Sequence, residues 1–174
     1  TGKVLDLVRA AWPELSPKAR LDAVRTLGQL KDADAAALLA EFNQDANAEL
    51  QEQGAGALGQ IGGVEALAML RKMYPESGDK LKVQVIRSLG SLKDTGSVAM
   101  LLDTLNNGDP KYRGVVIEAL VQIGDTGALP DLIDLLTADN ADPEMRAALI
   151  GALGRFGDPS VNPYLLEMLE SEVD

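Results

Sequence analysis

The chain repeats one phrase five times. It reads Thr26-Leu27-Gly28-Gln29-Leu30, Ala57-Leu58-Gly59-Gln60-Ile61, Ser88-Leu89-Gly90-Ser91-Leu92, Ala119-Leu120-Val121-Gln122-Ile123 and Ala152-Leu153-Gly154-Arg155-Phe156. The leucines at 27, 58, 89, 120 and 153 lie 31, 31, 31 and 33 residues apart. A period of this length means supersecondary units that bury their apolar faces only against their neighbours. Within the phrase, a small-Leu-small core meets another apolar residue three positions on, which is helical spacing rather than strand alternation.

Each period holds two helices. In the fourth, Asp109-Pro110 supplies an N-cap and a proline at the first helical position, opening a helix that runs to Ile123. Gly124 ends it, Asp125-Thr126 starts the next, and Ala128, Leu129, Leu132, Leu135 and Leu136 form an apolar stripe. Start signals recur at Ser16-Pro17, Asn47, Asp79 and Asp142-Pro143. One period earlier, Val4, Leu5, Val8, Ala11 and Trp12 fall in register with that stripe. The expectation is therefore all-α, about eleven helices in a single array over 1–174. It comprises a half repeat (1–15) and five full repeats (16–46, 47–77, 78–108, 109–141, 142–174). The half repeat and the absent initiator Met lead us to expect a fragment of a longer protein.

The pattern Asp-Pro-x-apolar-Arg-x-x-small-x-x-Ala-Leu-Gly-x-Ile-Gly-Asp resembles bacterial HEAT repeats of the phycobilin-lyase-like type. That resemblance implies a right-handed α-solenoid with second helices lining a concave side. It also implies that a basic column pairs with an acidic inter-helix column, making a ladder between consecutive repeats. The basic column, seven residues before each anchor, is Arg20, Gln51, Lys82, Arg113 and Arg146; the acidic one, five after, is Asp32, Gly63, Asp94, Asp125 and Asp158. An Asp there can cap the second helix while the cation bridges to it.

Composition removes most chemistry. The chain has no cysteine and no histidine, so thiol nucleophiles, imidazole bases and His- or Cys-ligated metals are excluded. Gly54-Ala55-Gly56-Ala57-Leu58-Gly59 spells G-x-G-x-x-G, but inside a helix instead of at a strand-to-helix turn. No G-x-S-x-G elbow and no calcium loop is present. Six aromatics cannot make a base-stacking platform, and 16 Lys and Arg against 27 Asp and Glu give a net charge of −11. Nucleic acid is therefore not an expected partner. No apolar run reaches bilayer length, so membrane insertion is not expected either. We expect no cofactor and no catalysis.

What is left is a surface. At ~100° per residue, the second helices turn one column outward: Ala10, Glu41, Lys72, Asp103, Asp134 and Glu167. A smaller column, Asp6, Ala37, Ala68, Ala99, Pro130 and Pro163, lies one turn before it, flanked by Leu7, Leu38, Met69, Met100, Asp131 and Tyr164. The expected function is a scaffold binding a partner helix or basic peptide through Leu38, Glu41, Met69, Lys72, Met100, Asp103, Asp131, Asp134, Tyr164 and Glu167. The alternative is a chromophore-handling subunit like the phycobilin-lyase proteins. A monomeric, cytoplasmic protein is expected, or a periplasmic one if an upstream signal has been removed. Repeat two, with three helix glycines and neither ladder partner, is expected to be the soft joint.

Overall fold

The computed structural model describes residues 2–42, 47–138 and 143–171. Among them are eleven α-helices and no strand. The helices are α1 (Gly2–Ala11), α2 (Pro17–Leu30), α3 (Ala33–Phe42), α4 (Ala48–Ile61), α5 (Gly63–Met73), α6 (Asp79–Ser91), α7 (Val98–Asn107), α8 (Arg113–Ile123), α9 (Leu129–Thr137), α10 (Pro143–Phe156) and α11 (Asn162–Ser171). Eleven is the number of helices expected from the sequence.

The caps explain where each helix begins. The Ser16 hydroxyl accepts from the Ala19 N–H, and Asn47 accepts from both Glu49 and Leu50. These side chains satisfy amides that have no carbonyl within the helix. Two starts differ from expectation. Asp79 lies in the first turn, with Gly78 as the cap, and Asp109-Pro110 opens a 3-10 turn that leads into α8. The proline fits the tighter turn because its missing N–H is not needed there. Asp142, of the expected Asp142-Pro143 start, lies outside the described residues.

First helices end in a shared way. Lys31, Gly62, Lys93, Gly124 and Gly157, one per repeat, all have positive φ, between 50° and 72°. At Lys31 and Gly124 the backbone is fully left-handed and turns the chain back sharply, so that the second helix can start within a few residues. Glycine adopts this region freely, whereas lysine does so at a cost.

The chain divides into two compact units, Thr1–Leu92 and Lys93–Asp174. In the first, α2, α4 and α6 pack side by side, while α1, α3 and α5 form a second layer. In the second, α8 packs on α10, with α7 against α8 and α9 against α10. The core is the leucine column: Leu27, Leu58, Leu89, Leu120 and Leu153 are each at most 1% exposed. Burying one such side chain contributes roughly 1.5–3 kcal/mol. By contrast Val4 and Leu7 of α1 stay exposed.

Helix glycines of repeats one and two stand at close joints between neighbouring helices. A Cβ on Gly28 would stand 3.0 Å from Ala57 Cβ, and one on Gly59 would stand 2.6 Å from Ser88 Oγ. Ser88 Oγ in turn donates to the Ala55 carbonyl at 3.0 Å. The same residues that cost helix propensity let α2, α4 and α6 approach closely.

Candidate functional site

The second helices carry the candidate surface. Ala37, Ala68, Ala99, Pro130 and Pro163 are all exposed, as are Glu41, Lys72, Asp103, Asp134 and Glu167 four residues further on. Each pair spans one helical turn, so every second helix presents a small residue and a charged or polar one on the same face. Prolines at 130 and 163 are tolerated because they fall in the first turns of α9 and α11.

The flanking column is less uniform than expected. Leu38 is fully buried and therefore belongs to the core, out of a partner's reach. It packs inward because α3 is covered by α2, α4 and α5. Met69 and Met100 are half-buried, Asp131 is exposed, and Tyr164 is 37% exposed.

Electrostatically, the charged column changes along the chain. Glu41 receives two hydrogen bonds from Arg9 of α1, each 3.2 Å, and is thereby partly neutralised. Sequence reading missed this pair because Arg9 stands one position outside the column. The signal available was an offset of one period plus one. Asp103 accepts from the neutral amide of Asn107, one turn away at 2.9 Å, which leaves its charge intact. No basic residue occurs in α7, α9 or α11.

The ladder residues show what they do locally. Asp32, Asp125 and Asp158 each accept the backbone N–H two residues on, at 2.9 Å, from Asp34, Gly127 and Ser160. Asp94 is buried and accepts from the Ser97 hydroxyl. Hydrogen bonds from the Ser160 backbone and then its side chain hold the Asp158 carboxyl below its ordinary range. On the basic side, the Arg20 guanidinium lies 5.3 Å from the Trp12 ring centroid and Nη2 donates to the Pro13 carbonyl. The Lys82 ammonium lies 5.1 Å over Tyr74. Both aromatics open an aromatic-Pro-Glu 3-10 turn that closes the preceding second helix. Cation–π contact thus ties successive repeats together at these two joints.

Among the described residues no group of three or more carboxylates could hold a metal ion, and no helix is long and apolar enough to cross a membrane.

A family model described as HEAT repeats matches residues 5–82 and 76–142. No curated protein sequence matches the chain. Among solved structures, an engineered protein is similar over 98% of this chain and 87% of its own, at 20% identity and a TM-score of 0.55. Human deoxyhypusine hydroxylase in complex with glycerol is similar over 98% of this chain and 78% of its own, at 18% identity and a TM-score of 0.42. The first likeness speaks to the fold alone; the second supports no statement about this chain.

Proposed function

The chain belongs to the HEAT-repeat family, and from that premise we propose that it is a non-catalytic scaffold whose second helices bind a protein partner. The observation that carries this reading is the exposed pairing of a small and a polar or charged residue on α3, α5, α7, α9 and α11. Core formation does not require that pairing, because the leucine column already fills the interior. Small side chains let a partner's backbone come close, and charged neighbours select what approaches. The working residues are Glu41, Met69, Lys72, Met100, Asp103, Asp131, Asp134, Tyr164 and Glu167, without Leu38. A chain with neither histidine nor cysteine has few groups for acid–base or nucleophilic work near neutral pH.

Site-specific photo-crosslinking tests the reading. A crosslinking residue at Ala68 or Ala99 is expected to form a discrete protein adduct in lysate of the source cell. The same residue at Glu118, exposed on a first helix, is expected to form none. Adducts from Glu118 alone contradict the assignment.

A further inference from the structure

We infer that Asn107 is a covalent modification site, at which the chain's own backbone converts the side-chain amide to a carboxylate when the last turn of α7 opens. This chemistry needs no partner. Of the asparagines in the chain, at 43, 47, 106, 107, 140 and 162, only Asn107 precedes a glycine. Glycine has no side chain to shield its amide nitrogen, so Gly108 N is the least hindered nucleophile that any of these side chains meets. Asn162 precedes Pro163, whose nitrogen has no proton to give up.

The helix end explains both why the pair is there and what restrains it. Asn107 is the last residue of α7, and Asn107 and Gly108 are exposed. A Cβ on Gly108 would stand 2.5 Å from the Thr104 carbonyl oxygen, so the turn as built requires glycine. Two hydrogen bonds then hold the reacting groups. The Gly108 N–H donates to the Thr104 carbonyl at 3.0 Å, which keeps the attacking nitrogen in the helix. Asn107 Nδ2 donates to Asp103 at 2.9 Å, which turns the side-chain amide back toward the preceding turn. Helix ends fray, and fraying releases both groups.

Once released, Gly108 N loses its proton to water or hydroxide and bonds to Asn107 Cγ. The Cγ–Nδ2 bond breaks, Nδ2 takes up a proton and leaves as ammonia, and the two residues share a succinimide ring. Water opens that ring at either carbonyl. Hydrolysis at Cγ leaves aspartate, and hydrolysis at the backbone carbonyl leaves isoaspartate. Water enters and ammonia departs, with no oxidant or reductant. The product carries a new negative charge one turn from Asp103, at the negative end of the helix dipole. A donor to Asp103 becomes a repelling neighbour, so the reaction weakens the turn that had restrained it.

Peptide mapping by mass spectrometry tests this on the intact folded chain, held at mildly alkaline pH. Asn107 is expected to gain the mass of amide-to-acid conversion, as a chromatographically split pair of isomers, while Asn106 does not. Unfolding in urea is expected to accelerate conversion by at least about ten-fold, since no opening step remains. Asp103→Ala is expected to accelerate it in the folded chain by about two- to five-fold, the effect of one exposed hydrogen bond, and to change nothing in urea. Gly108→Ala would stop the reaction but drive a methyl into Thr104. Asn107→Gln, which keeps an amide but must close a larger ring, is expected to stop it with helicity by circular dichroism unchanged. Asn107→Asp is expected to speed hydrogen exchange over residues 104–108 relative to Asn107→Gln. The inference is overturned by no conversion of Asn107 in the folded chain while the urea sample converts fully, by equal conversion of Asn106, or by indifference to Asp103→Ala.

Discussion

At the scale of single residues, the left-handed column is the most exposed to test. Lys31 and Lys93 have positive φ at the position where the other three repeats place glycine. The strain of a side chain there is roughly 1–2 kcal/mol, against about 0.5–1 kcal/mol for glycine's greater freedom when unfolded. Lys93→Gly is therefore expected to raise stability by up to ~1 kcal/mol in chemical denaturation, and Gly124→Lys to lower it by a similar amount. A stability loss in the first variant contradicts the assignment. Asp158 provides a pH test. Its folded carboxyl titrates below the ordinary range, so the stability it adds is complete above the unfolded value and is lost as pH falls through the folded one. Asp158→Asn, which keeps a capping oxygen, is expected to flatten the acid side of the stability–pH curve relative to the parent. An unchanged curve removes Asp158 as a source of that dependence. The column itself was not legible beforehand, because lysine gives no sign of positive φ. Only the folded backbone shows it.

At the scale of elements, the helix starts at Ser16 and Asn47 followed directly from capping chemistry, and the leucine core followed from the repeat period and its helical spacing. What propensity could not convey was the value of Gly59. A helix glycine alone promises a gain on conversion to alanine, yet here the new methyl would meet Ser88 at 2.6 Å. Gly59→Ala is expected to lower the melting temperature despite its better helix propensity, with Gly59→Ala/Ser88→Gly recovering part of the loss. A higher melting temperature for the single variant means that α4 and α6 are not so closely packed. The Arg–Asp ladder remains a proposal at this scale. For Arg113 and Asp125, a double-mutant cycle to alanine is expected to give a coupling of about 1 kcal/mol. Additive effects indicate that Asp125 acts as a cap alone.

At the scale of the molecule, periodicity alone revealed an array of helix pairs, and the absence of histidine and cysteine narrowed its chemistry. The partner surface was only partly readable. Outward columns followed from 100° per residue, but Leu38 is buried and Glu41 is occupied by Arg9, and neither fact follows from the register. Exposed charge on the second helices governs the rate of encounter more than the lifetime of a complex. The claim that the second helices receive a protein partner is tested most directly by hydrogen exchange on the intact chain, with and without the partner captured by crosslinking. The account expects slower exchange on the second helices, with the first helices unaffected. Slowing confined to the first helices contradicts it.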